Sequence, residues 1–144
     1  KKKGIDMGTW SHEPFGNDTA NDWAYELEDT TDFSVIDATL QTALDEGQED
    51  LDADLAMEAI AAIEVLAKSL GHGTQTDVYT DKVDEWVDRI SLKPSADLLQ
   101  KAEQVLALVA SDHSELKELW QESEEYELWA NNLQQLNTIL HSEK

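Results

Sequence analysis

The residues best equipped for chemistry are gathered near the start of the chain: Trp10, His12, Glu13, Phe15, Asn17, Asp18, Asp22 and Trp23. Carboxylates beside a histidine can hold a divalent metal or serve as general acid and base. Asp18, Asp22 and Glu26 are four residues apart and would share one helix face. A metal-assisted hydrolase could be built from these groups, with His12 and the arm carboxylates doing the work. The same residues also suit a structural role, in which Trp10 and Phe15 plug the core, Asn17 or Asp18 caps a helix and Asp22 stays solvated. The structural role is favoured here, and no metal or cofactor is expected.

Elsewhere the spacing is wrong for catalysis. His12, His72, His113 and His141 form no closely spaced pair. No serine is flanked as in a Gly-x-Ser-x-Gly elbow, and no glycine-rich phosphate loop precedes a lysine. With no cysteine, thiol catalysis, thiolate metal sites and disulfides are excluded. The run Asp45 to Asp54 invites comparison with a calcium loop, but counting from Asp50 the sixth position is Leu55 instead of glycine and the twelfth is Ala61 instead of glutamate. A solvated turn followed by an acidic helix start accounts for it better.

Charge is the more telling feature. The net charge is -22, and residues 4–67 carry 17 acidic side chains with no Lys or Arg, whereas residues 68–144 carry 15 acidic and 7 basic ones. Such a field repels nucleic acid and anionic membranes and attracts basic proteins. The carboxylates of the first three helices are expected to lack local neutralisation, leaving a repulsion that salt would partly screen. Asp45, Glu46, Glu49 and Asp50 are the candidate contacts to a basic partner.

The elements that must position these groups are helical. Two prolines and six glycines in 144 residues leave long uninterrupted segments. After an irregular arm at 8–18, a first helix starting at Asp18 or Thr19 carries Ala20, Trp23, Ala24 and Leu27. A second, capped by Asp32 and ended by Gly47, carries Phe33, Ile36, Leu40 and Leu44. A third, with Asp50, Asp52 and Asp54 in its first turn, carries Leu55, Ala59, Ile60, Ile63, Leu66, Ala67 and Leu70. Val83, Trp86, Val87 and Ile90 mark a fourth, and Ser95 begins a fifth through Leu99, Ala102, Leu106 and Val109. Asp112 and Glu115 have capping-box spacing ahead of a long sixth helix running to about Leu140. The fold class is all-α: one compact acidic domain of about six helices over residues 7–144, preceded by the irregular arm. Residues 1–6 read as an added or disordered leader before a native start at Met7. No apolar run approaches the ~18 residues of a membrane span, so a soluble, cytoplasmic protein is expected.

Met7, Gly8, Thr9 and Trp10, followed by Phe15, Asn17, Asp18, Ala20, Asp22, Trp23 and Leu27, form a recognisable set. They resemble the opening of a bacterial family of unknown function, DUF4259, whose members begin Met-Gly-Thr/Ala-Trp-Gly and reach an Asn-Asp-x-Ala-x-Asp-Trp segment. The segment from Ser114 to Trp120, with Trp129, is similar to the family's C-terminal half. Ser11 departs from the pattern, where many members have glycine, so a different backbone conformation is expected there. The resemblance implies no activity. Three functions are therefore ranked: a non-enzymatic binding or inhibitory, immunity-like protein with an acidic face for a basic partner; the metal-assisted hydrolase; and a homo-oligomeric module joined through the C-terminal helix. Trp129, widening that helix's apolar face, reads first as core packing and would suit an interface if partly exposed.

Overall fold

A helix that is apolar on every side must be surrounded, and the segment Ala59–Ile63 followed by Val65–Ala67 is interrupted by a single charged residue, Glu64. It lies in α3 (Ala53–Ser69), the central helix of the molecule. The computed structural model describes residues 8–143, so the leader at 1–6 and a start at Met7 lie outside the described residues. Around α3 are arranged α1 (Asp18–Ala24), α2 (Ser34–Glu46), α4 (Asp81–Ile90), α5 (Ala96–Val109), α6 (Glu115–Gln121) and α7 (Tyr126–Ser142), and all six touch it. Among the described residues there is no strand, only two isolated bridges. The alanines of α3 let its neighbours approach closely, while Ile36, Leu40, Leu99, Leu116 and Leu136 fill the space between helices.

The helix starts follow local hydrogen-bond chemistry. Asn17 Oδ1 accepts from Ala20 N at 2.7 Å, so Asn17 caps α1 and Asp18 stands exposed in its first turn. Asp32 Oδ1 accepts from Ser34 N at 3.0 Å, and hydrogen bonding to Ser34 holds its carboxyl below the usual range. Ser95 Oγ accepts from Leu98 N at 3.1 Å to begin α5. At the head of α3, Asp52 Oδ1 accepts from Asp54 N at 2.6 Å and Glu115 Oε1 from Ala53 N at 2.8 Å. Two carboxylates thus meet the positive end of the central helix. Asp50 lies before this helix and not in its first turn, because Leu51 is pulled into a bridge with Ser114.

One expected helix is two. Ser114, not Asp112, caps α6 by accepting from Lys117 N at 3.2 Å. Just past the end of α6, Ser123 Oγ accepts from Glu125 N at 3.0 Å, a local turn that competes with continued helix. Glu124, Glu125 and Glu127 then stand at the start of α7, where the dipole favours them, instead of in mid-helix. The turn brings Trp120 and Trp129 into a stack, with centroids 6.4 Å apart and planes at 15°. Trp129 is consequently buried and is no exposed anchor.

The arm is ordered by its own backbone. Trp10 N and Ser11 N both donate to Gly16 O, at 2.8 and 3.2 Å, Gly16 N donates to Glu13 O, and Asp18 N returns to Gly8 O. A side chain on Gly16 would fall 2.1 Å from Ser11 Oγ and 2.7 Å from Ser11 O, so only glycine closes this loop. Ser11 needs no left-handed backbone, since its φ is not positive; its hydroxyl instead turns toward Glu13. Phe15 is fully buried, but Trp10 is 46% exposed, which corrects the expectation that both plug the core. The tight loop turns Phe15 inward and leaves Trp10 on the rim, tilted against Tyr79 at 5.0 Å. Phe15→Ala should therefore cost about 3–5 kcal/mol in urea denaturation, and Trp10→Ala only about 1 kcal/mol, the scale of an exposed aromatic pair. Equal losses would show that Trp10 is a core residue after all.

Candidate functional site

The Glu64 side chain is fully buried and accepts three hydrogen bonds. Its Oε2 accepts from Thr74 N at 2.7 Å and Gln75 N at 2.8 Å, and its Oε1 from Thr74 Oγ1 at 2.7 Å. Asn132 of α7 donates to the same Thr74 hydroxyl at 3.0 Å. Lys68, one turn along α3, lies 3.8 Å from Glu64 and 2.7 Å from Asp84 of α4, and also donates to Gln75 O. Burial pushes the Glu64 carboxyl above its usual range, with the hydrogen bonds and Lys68 opposing that rise. Gly73 is required here by proximity, since a Cβ would fall 2.5 Å from Lys68 Cγ.

From this anchor the loop reaches the arm. Gln75 Oε1 accepts from Phe15 N at 2.8 Å, while its Nε2 donates to Asp77 Oδ2 at 3.1 Å. Asp77 Oδ1 in turn accepts from Tyr79 N at 2.9 Å. A chain of contacts therefore runs from the central helix through the loop to the Trp10–Tyr79 pair. None of Glu64, Lys68, Thr74, Gln75 or Asp84 stands out in the sequence as a site residue. The available signal was Glu64 alone in an apolar run with Lys68 four residues on.

The arm carboxylates do not converge. Asp18, Asp22 and Glu26 are exposed, and α1 ends at Ala24, so Glu26 falls in a 3₁₀ turn off the expected face. His12, half-buried, lines a cavity of about 10 Å³ with Thr9, Glu13 and Asn17, room on the scale of one water. Trp23 is buried with its indole donating to Thr39 Oγ1 at 2.8 Å. Among the described residues no three His, Asp or Glu side chains come together as a metal site. A larger cleft of about 330 Å³ between α5 and α7, walled by Leu106, Tyr126, Trp129 and Leu133, has no acidic or basic side chain in its lining.

The acidic face gains members. Leu51 N donates to His113 O at 2.8 Å and Glu115 N to Leu51 O at 2.9 Å, joining the α2–α3 connector to the α5–α6 connector. His113 Nδ1 lies 2.9 Å from Glu49 O. The junction sets Asp50 and Asp52 beside Asp112, Glu115 and Glu118 around a cleft of about 380 Å³. Asp45, Glu46, Glu49 and Asp50 are all exposed, and among the described residues no cation pairs with any of them. Lys117 does pair with Asp112, at 3.2 Å. The expectation that the N-terminal half lacks neutralisation needs correction, because folding brings cations from the other half: Lys101 reaches Asp37 at 2.6 Å and Lys82 reaches Glu28 at 3.1 Å. Glu58, by contrast, is raised by partial burial and by the facing carboxylates of Glu26, Asp54 and Asp52.

Fold and surfaces together define an all-α domain with a buried polar anchor and an unbalanced acidic face. A family model described as domain of unknown function DUF4259 matches residues 8–132, and the chain belongs to that family. No curated protein and no solved structure matches it. No helix among the described residues is long and apolar enough to cross a membrane.

Because folding raises Glu64 and Glu58, the stabilisation that their protonation brings is present in acid and lost as pH climbs through their folded values. Wild-type stability in urea should rise as pH falls through these raised values toward the ordinary glutamate range. Glu64→Gln should flatten that rise, and Glu64→Ala, which strands the amides of Thr74 and Gln75 while Lys68 keeps Asp84, should cost about 1–3 kcal/mol for each amide left unsatisfied. An identical pH profile for wild type and Glu64→Gln would contradict the assignment.

Proposed function

We propose that this chain is a non-enzymatic protein-binding protein, inhibitory or immunity-like in character, whose acidic face engages a basic partner. The observation that carries the reading is the placement of Asp45 and Glu46. They occupy the last turn of α2, which holds no basic residue, and negative charge is unfavourable at that end of a helix. Other carboxylates have work within the fold: Asp52 and Glu115 at the head of α3, Asp32 before α2, Asp37 and Glu28 with lysines. Glu46, Glu49 and Asp50 add repulsion without such a return, Asp45 has only a hydrogen bond from Gln41 Nε2 at 2.9 Å, and a partner bearing Lys and Arg would relieve the repulsion.

Association driven this way is fast at low ionic strength and slows as salt is added. Partners should be captured at low salt, and the interaction measured again with Asp45→Asn, Glu46→Gln, Glu49→Gln and Asp50→Asn combined. The expected result is a basic partner whose on-rate falls steeply with salt and with the fourfold change. Binding that survives both undiminished would assign the charge to solubility alone.

A further inference from the structure

Trp10 and Tyr79 are each 46% exposed and Val78 is 75% exposed, an apolar patch on a chain whose other large aromatic side chains are mostly covered. The two rings meet at 5.0 Å with planes 43° apart, a wedge open to solvent. The backbone beneath both rings is tied down. Trp10 N is bound to Gly16 O, Tyr79 N to Asp77 Oδ1, and Gln75 ties Asp77 to the arm at Phe15. Rigid aromatic groups on a fixed backbone lose little entropy on contact, which is why Trp and Tyr anchor interfaces.

The surroundings select the occupant. Asp77 and Asp81 flank Tyr79 and are exposed, and Glu13 follows Trp10 in the arm turn. An uncharged apolar partner would have to desolvate these carboxylates without compensation. A planar cation can lie on an indole face while its edge faces carboxylates. The fold already shows a cation over a ring, with Lys82 Nζ 4.2 Å from the Tyr25 centroid. Among the described residues no Lys or Arg lies over Trp10 or Tyr79.

We infer that the Trp10–Tyr79 wedge is an arginine-binding notch, the specificity anchor for a basic segment of the partner. This rests on the acidic-face reading above and adds the residue type that the partner presents. Hexa-arginine and hexa-lysine peptides of equal charge separate the two claims, titrated at low salt into wild type, Trp10→Ala, Tyr79→Ala and the fourfold acidic-face variant, with circular dichroism confirming that each is folded. Wild type should bind hexa-arginine about threefold to tenfold more tightly than hexa-lysine, the range of a cation–π contact. Trp10→Ala and Tyr79→Ala should each reduce that preference, and the fourfold variant should weaken both peptides alike. The indole N–H resonance missing from Trp10→Phe should shift on adding hexa-arginine. If both peptides bind without preference, or the preference survives Trp10→Ala, the notch is overturned while the acidic face stands. If neither peptide binds, both fall.

Discussion

Thr74 and Gln75 give their backbone amides to a carboxylate in the middle of the central helix, and much of the molecule's shape depends on that contact. The middle of α3, residues 59–67, is buried on every side and has no exposed face on which to carry a charge, yet it carries Glu64. Burying a carboxylate without partners is costly enough that it must protonate or be surrounded by donors. The donors come from the loop after α3, which is therefore drawn back along the helix and not left to solvent. Lys68 follows, Asp84 of α4 answers Lys68, and Asn132 of α7 answers Thr74. Satisfying one carboxylate thus fixes a loop, two helices and, through Gln75, the N-terminal arm.

Charge works at a second level. Beyond residue 3 the sequence confines its Lys and Arg to residues 68–144, and folding interleaves the halves, so that Lys82 and Lys101 return to Glu28 and Asp37. Helix ends absorb more, with Asp52 and Glu115 placed where the α3 dipole is positive. Carboxylates without such internal use remain on several surfaces, among them the end of α2 and the following connector. The same logic gives the arm its form: Gly16 closes the loop, Phe15 turns inward, and Trp10 is left at the surface against a tyrosine that the Glu64 network holds in place.

The helices were legible because apolar periodicity and capping residues are local signals. The segments around Trp23, Ile36, Ile63, Trp86 and Leu106 lie in α1 to α5 in the order expected. The split at Ser123 was not legible, since a serine among glutamates is compatible with a helix until its hydroxyl is seen turning to Glu125 N. Trp10 departs from expectation for a related reason: residue type says that an indole seeks cover, but tertiary geometry decides which one finds it, and Trp129 does while Trp10 does not. The Glu64 network was hidden because its members are spread from Phe15 to Asn132 and each is unremarkable alone. The family match extends over most of the chain and agrees with the resemblance carried by Gly8, Trp10, Asn17, Asp22 and Trp23.

If the buried carboxylate organises the structure as described, the loop it holds is as stable as the helix that carries it. Amide hydrogen exchange of Thr74 and Gln75 tests this most directly, because both N–H groups point at Glu64. The account predicts that they exchange as slowly as amides of central α3 such as Ile63 and Val65, through opening of the whole domain. Exchange at the rate of an ordinary exposed loop, with α3 still protected, would contradict it.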